Sequence, residues 1–540
     1  MPFFKSDDIQ NWTEGKWFNM NPKKKPEIHG FSIDSRDIGK DFAFAAIKGA
    51  RDGHDFAADA AANGATAVIA ERELDIGIPV LVVEDTVKAL QRIAKLHRLR
   101  FENPVVGITG SCGKTSTKEM LAKLASWKNP LATKGNLNNE LGVPLTLTQI
   151  DLRQNQLAIV EAGVAAPGQM QELAEMIEPD IAIITNVGLT HLEKFVEVGN
   201  VAKEKAALAA NVAEGGWCLI HHNLLSWKAF DELKCKKAVV APAEAPDFKA
   251  DLVFRYSFAQ LEDNMVAVDM SIEGGDDYYF EVPQMSSGML ENSLLAIAAT
   301  LMLGGKEEQI AAKLETLAPL PMRGGIVSTE KAKYYVDCYN ASPTSMKDSL
   351  AYFSKISGEE TPKLYVLGSM AELGLANHRH HKEIGCHIKC NPSDAAVLIG
   401  ESAQIYKAGM LENGWNEDQI SVFEKSEDAR EIVGNFCGFA FVKGSRVCEL
   451  EKALPEEVLE AISSPEKHPS DDDAEDESPE YIENPDENAV IESEEDAEDD
   501  GEFEDAENSE ESEFDGDEDS EDESGDEAIE EDDEDEREVF

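Results

Sequence analysis

The chain has 540 residues, 42% of them hydrophobic, and a formal net charge of −58. The length allows three or more domains, each able to bury a core, while a charge of that sign excludes a basic nucleic-acid-binding face. No apolar run approaches a membrane span, the opening MPFFKSDDIQNWTEGKW lacks the basic-then-apolar order of a secretory signal, and eight scattered cysteines suit a reducing cytoplasm.

In chain order, residues 1–98 mix short strands and helices. DFAFAAIKG reads as a strand stopped by glycine, GHDFAADAAANGATAVIAE as helix, Asn-Gly turn and strand, and IPVLVVEDTVKALQRIAKLHRLRF as strand then helix. A second unit covers 99–317. PVVGITG is an apolar strand running into a glycine loop, and TSTKEMLAKLASW is the following helix, with Met120, Leu121 and Leu124 on one face. LAIVEAG and DIAIITNV are continuous apolar runs, as expected of parallel strands buried on both faces, so this unit is an α/β sheet domain.

A third unit covers 318–462. KYYVDCYN, KLYVLGSM, AAVLIGES and FAFVKGS are strands separated by helices such as SMKDSLAYFSKI and EDAREIVGNF, a doubly wound, Rossmann-like pattern without a GxGxxG after its first strand. CHIKC (Cys386, His387, Cys390) has neither zinc-knuckle nor zinc-protease spacing and reads as plain helix. The last seventy residues hold about forty acidic side chains, so 463–540 reads as a disordered tail. Its plain role is a solubilising polyanion; docking to basic partners is the alternative.

In GITGSCGKTS, from Thr109 through Ser116, the backbone amides of Gly110, Ser111, Cys112, Gly113 and Lys114 can point at phosphate oxygens, and the dipole of the next helix favours the same charge. Lys114 would reach the β/γ-phosphates and Thr115 would hold Mg²⁺. The spacing departs by one residue from GxxxxGK[ST], since Ile108 stands at the usual first glycine. This loop alone leaves kinase, switch, motor and ligase open. Glu161 and His191 each follow an apolar strand and should emerge at the same carboxyl edge, where they could ligate Mg²⁺; a buried hydrogen-bonded histidine and a surface glutamate are the plain alternative.

GITGSCGKTSTKEM, TKGNLNNELGVPLTL, VEAG with PGQM, DIAIITNVGLTHLEKF and VAKEKAAL occur in the order of the Mur ligase family, which builds the peptide stem of bacterial cell-wall precursors, and DCYNASPTSM, VLGSMAELG, HKEIG and VKGSR extend the likeness. The resemblance covers about residues 28–455. It implies three α/β domains: a UDP-substrate-binding domain, a central ATP-binding parallel sheet and a Rossmann-like ligase domain. The implied activity is ATP-dependent amide ligation in peptidoglycan synthesis by a cytoplasmic, monomeric bacterial enzyme. D-alanyl-D-alanine is joined to UDP-N-acetylmuramoyl-tripeptide through an acyl phosphate.

The resemblance also implies residue roles. Two Mg²⁺ ions fall to Thr115, Glu161, His191 and a carbamylated Lys205, with Lys203 the nearby competitor. Asn292 faces adenine, Arg323 reaches the γ-phosphate, and Asp337 and Asn340 close over the nucleotide. Ser32, Ser35, Arg36 and His54 match the UDP-binding pattern, Asn138 and Asn139 the loop near the muramoyl group, and Ser445 and Arg446 the vicinity of the dipeptide. Cys112, Ala162, Ala166 and Ser369 depart from the family's usual residues, and SSGMLENS lacks the usual histidine ahead of Asn292. A ligase adding diaminopimelate or lysine is the nearest rival. Its clamp is matched in KCNPSDA only by Asn-Pro. A non-catalytic nucleotide-binding scaffold is the alternative of a different class.

Overall fold

The computed structural model describes residues 1–189, 192–262 and 264–463. His191 and the acidic stretch from 464 onward therefore lie outside the described residues.

Among the described residues the strands form three sheets. The first runs Lys16–Phe18, Val80–Val82, Ala67–Ala70, Phe42–Ala45 and Gly30–Ser32, parallel except for its first strand. The second is the largest. From one edge it runs Pro130–Ala132, Leu157–Glu161, Val105–Thr109, Ile181–Ile184, Trp217–His221, Lys236–Pro242 and Leu252–Gln260, all parallel, then Met265–Ile272 and Asp277–Pro283, both antiparallel. The third runs Gly325–Ser328, Ala332–Asp337, Gly438–Lys443, Lys363–Gly368, Ala395–Ile399 and Ile420–Phe423, parallel apart from the antiparallel first pair.

The central strands are apolar throughout because both their faces are covered. Val106, Ile108, Ile159, Ile181 and Ile183 point into one core cluster, and Val105, Ala158, Val160, Ala182 and Ile184 into the other. Each such Val or Ile stabilises the fold by roughly 1.5–3 kcal/mol relative to exposure. The helix Lys114–Leu124 lays Met120, Leu121 and Leu124 against the first of these clusters, the face its spacing predicts.

Val105–Thr109 lies between Ile181–Ile184 and Leu157–Glu161. The chain leaves it to build one side of the sheet and later returns to build the other, so its carboxyl end is a topological switch point, where α/β sheets hold ligands. The antiparallel extension from Leu252 to Pro283 has no counterpart in the sequence reading. CHIKC also departs from expectation. The helix Asn377–His387 ends inside it, Ile388 is extended, and Cys390 turns to Gln419. No described helix is long and apolar enough to cross a membrane.

Candidate active site

Each strand ending at the switch point delivers one part of the site. Thr109 passes directly into the glycine loop, and the helix begins at Lys114. Two glycines let neighbouring side chains lie close against the loop. A β-carbon on Gly110 would fall 1.8 Å from Thr185 Oγ1, and one on Gly113 would fall 2.4 Å from Asn292 Oδ1. Gly113 is also left-handed, with φ of 81°. The loop is tied to the adjoining strand end: Cys112 N–H donates to Asn186 Oδ1 at 2.9 Å, and Gly188 N–H to Ser111 Oγ at 2.9 Å.

Lys114 folds back so that Nζ donates to Gly110 O at 2.8 Å. Behind it, the helix Val198–Ala210 presents Lys205, which is 4% exposed, whereas Lys203 faces solvent. The structure thus distinguishes the two lysines. Burial, followed by repulsion from Lys114, pushes the Lys205 amine down to about 7. Two amines with no carboxylate bonded to either among the described residues make this a place suited to anions.

Glu161 sits at the floor, 1% exposed, at the carboxyl end of its strand. Its Oε1 accepts from Thr115 Oγ1 at 3.2 Å and from Asn138 Nδ2 at 2.8 Å. Its Oε2 is buried without a hydrogen-bond partner among the described residues, as is Thr109 Oγ1. A buried carboxylate oxygen left open beside the Thr115 hydroxyl suits a hard divalent cation, for which both are natural oxygen ligands. The described residues contain no group of three or more His, Cys, Asp or Glu arranged for a metal. The remaining ligands of such an ion would come from phosphate oxygens, from water and from residues outside that set. Two supports of Glu161 escaped the sequence reading. Thr133 Oγ1 accepts from Glu161 N–H at 2.9 Å, and Lys118, fully buried four residues after Lys114, donates Nζ to Thr133 O at 2.5 Å.

The third sheet approaches the same loop. Arg323 Nη2 donates to Thr115 Oγ1 at 3.2 Å, and Cys112 Sγ lies 3.2 Å from Ser342 Oγ. Ser342 also caps the helix Pro343–Ser357. Asp337 lies nearby but is already paired: Lys443 Nζ donates to its Oδ2 at 2.5 Å and Ser349 Oγ at 2.7 Å. Asn340 is exposed, its Oδ1 held by Ala341 N–H. Ser445 Oγ accepts from Ala371 N–H at 2.8 Å, joining the loops after two neighbouring strands. Arg446 is ion-paired with Glu451. KCNPSDA is remote from this edge. Asp394 Oδ1 accepts from Lys363 N–H at the amino end of the sheet, so the segment is a structural turn.

The first sheet holds the remaining residues by themselves. Ser32 Oγ donates to Asp34 O and Asp37 O, and Ser35 is buried with its carbonyl accepting from Asn63. Arg36 grips Asp34, holding that carboxyl down at about 2 through the guanidinium's hydrogen bonds. His54 is held on both sides of its ring. It is buried, Nδ1 lies 2.6 Å from Asp52 Oδ1, and Nε2 accepts from Glu71 N–H at 2.8 Å. Both ring nitrogens therefore have protein partners in this structure. Asn139 likewise uses Oδ1 to accept Gly142 N–H at the start of a helix.

The comparisons with known proteins follow this layout. Three family models match: "Mur ligase family, catalytic domain" over residues 27–99, "Mur ligase middle domain" over 108–300 and "Mur ligase, glutamate ligase domain" over 322–436. The chain is similar to the UDP-N-acetylmuramoyl-tripeptide–D-alanyl-D-alanine ligase of Escherichia coli, 30% identical over 442 residues that cover 79% of this chain and 93% of that protein. It is also similar to the ligase of the same name from Bacillus subtilis, 29% identical over 453 residues, covering 81% and 96%. Among solved structures, a MurF crystal structure from Acinetobacter baumannii superposes with a TM-score of 0.71 at 26% identity, covering 84% of this chain and 98% of that one.

Proposed function

The chain belongs to the Mur ligase family, and on that premise we propose that it joins D-alanyl-D-alanine to UDP-N-acetylmuramoyl-tripeptide, consuming ATP. The observation that carries this reading is the cluster of Thr115, Glu161, Asn138 and Arg323 under the glycine loop, with Glu161 Oε2 left open.

A carboxylate is a poor electrophile until one of its oxygens becomes a phosphate leaving group. The γ-phosphoryl group passes to the terminal carboxylate of the tripeptide, releasing ADP. The amine of the dipeptide then attacks the acyl carbon, the C–O bond to phosphate breaks, and the amine gives up a proton. The difficulty is electrostatic, because a triphosphate and a carboxylate must meet. In this chain the loop amides of Gly110, Gly113 and Lys114 cradle phosphate, whereas those expected of Ser111 and Cys112 are bonded to Asn186. Lys114 exchanges its bond to Gly110 O for phosphate oxygens, and Arg323 reaches across from the linker to the γ-phosphate. Asn292, packed on Gly113, borders the adenine, and Asp337 and Asn340 cover the nucleotide from the third domain. Ser32, Ser35 and Arg36 serve the UDP end, Asn138 and Asn139 the muramoyl loop, and Ser445 and Arg446 the dipeptide.

Thr115, Glu161 and His191 would hold magnesium, which when bound supplies positive charge that offsets the repulsion between the two anions. Lys205 is assigned as the carbamylated ligand. The comparisons lend the carbamate no support; it rests on the resemblance and on a buried amine beside Lys114, since only a neutral amine adds CO₂. Incubation with ¹³C-bicarbonate should give a carbamate NMR signal that Lys205→Met removes. An unchanged signal in that variant would refute the assignment.

The acyl-phosphate step has a direct test. With ¹⁸O in the terminal carboxylate of the UDP-tripeptide, one labelled oxygen should appear in the released phosphate. Unlabelled phosphate would rule that intermediate out. The rival that adds diaminopimelate or lysine is disfavoured by the position of KCNPSDA at the amino end of its sheet. We place the enzyme in the cytoplasm as a monomer, and assign the tail a solubilising role.

A further inference from the structure

Arg323 lies on the segment that links the second sheet to the third, and such a side chain has many rotamers. Three features of this chain remove that freedom. The guanidinium carbon sits 4.0 Å from the centroid of the Tyr339 ring, a cation–π stack. Tyr339 N–H donates to Met322 O at 3.2 Å, so the same residue grips the linker by its backbone. Met322 is thereby held with φ of 57°, a left-handed conformation disfavoured for a residue with a β-carbon. This turn directs the Arg323 side chain away from solvent and toward the Thr115 hydroxyl. Next to it, Gly324 N–H donates to Val336 O at 2.9 Å, so the strand leading to Tyr339 and the linker are bonded on both sides of Arg323.

We propose that Tyr339 is a positioning residue for Arg323: its ring and its backbone N–H aim the guanidinium at the phosphate loop, and only while the third sheet is docked. The inference rests on the γ-phosphate role given to Arg323 above. Among the described residues Tyr339 makes no hydrogen bond to the glycine loop or to Glu161, and its ring is stacked on Arg323.

The test is a double-mutant cycle on the full chain, with kcat and KM for ATP measured in the presence of the UDP-tripeptide and the dipeptide. Arg323→Ala should lower kcat/KM roughly a hundredfold. Tyr339→Met should lower it roughly tenfold, the scale of a lost cation–π contact. The double variant should be no worse than Arg323→Ala alone, because the ring has nothing left to aim. Tyr339→Phe should restore most of what Tyr339→Met loses. Thermal melting confirms that each variant is folded, and Tyr339→Leu replaces Tyr339→Met if the latter is not. Independent, multiplying losses in the double variant, a Phe variant as impaired as the Met one, or full activity in Tyr339→Met would each overturn the inference while leaving the role of Arg323 standing. An Arg323→Ala enzyme with unchanged kcat/KM would overturn that role and the inference together.

Discussion

The side-chain amide of Asn292 lies against Gly113, close enough that a single added β-carbon would meet its oxygen at 2.4 Å. The helix Ser287–Met302 and the phosphate loop are therefore seated on one another without a gap. Gly113→Ala adds that clash to a backbone that is already left-handed. We expect the variant to fold but to bind ATP at least about tenfold more weakly, since a loop shift of a few tenths of an ångström misaims several amides at once. Titration with a fluorescent ATP analogue checks this. Wild-type affinity would mean that the loop is not held in its observed form when nucleotide binds.

Lys205 gives a pH-dependent prediction. Its amine titrates near about 7 in the folded chain and about 10.4 when unfolded. Between those values the unfolded state binds more protons, so stability should rise with pH across that window. The penalty is full below pH 7 and gone above pH 10.4. In carbonate-free buffer, Lys205→Met should therefore be more stable than wild type at pH 7, on the order of a few kcal/mol, and equal to it by pH 10.4. It should also lose ligation. Urea melts at the two pH values measure the first effect. Parallel pH profiles for the two proteins would contradict the burial of this amine.

Much of this was legible in sequence because parallel strands buried on both faces need uninterrupted apolar runs, as in LAIVEAG and DIAIITNV. The glycine loop was legible because its glycines answer to specific close approaches. What could not be read was which polar groups end up facing one another. Asp337 was legible as a polar residue at a strand end, but its pairing with Lys443 depends on two parallel strands whose paired residues are 106 apart in the chain. His54 matched a substrate-binding pattern, yet its neighbours Asp52 and Glu71 take both ring nitrogens. The hairpin strands from Leu252 to Pro283 went unread since one face of each is partly solvated and their apolar runs are broken.

The Lys443–Asp337 pair supplies a stability prediction. Lys443 is buried, and its ammonium also lies near the Asp337 and Asn340 carbonyls. Lys443→Met would leave the Asp337 carboxylate without its counter-ion, and should destabilise the chain by about 3 kcal/mol. Lys443→Met with Asp337→Asn should recover part of that loss. Denaturant unfolding of the two variants decides it; a Lys443→Met protein as stable as wild type would show that the pair contributes little.

The most direct measurement is phosphate release under omission of each substrate in turn. ATP, UDP-N-acetylmuramoyl-tripeptide and D-alanyl-D-alanine together should give phosphate in step with new amide product, and leaving out either acceptor should bring release to background. Phosphate released steadily from ATP alone, or a complete mixture yielding no amide, would contradict the ligase reading.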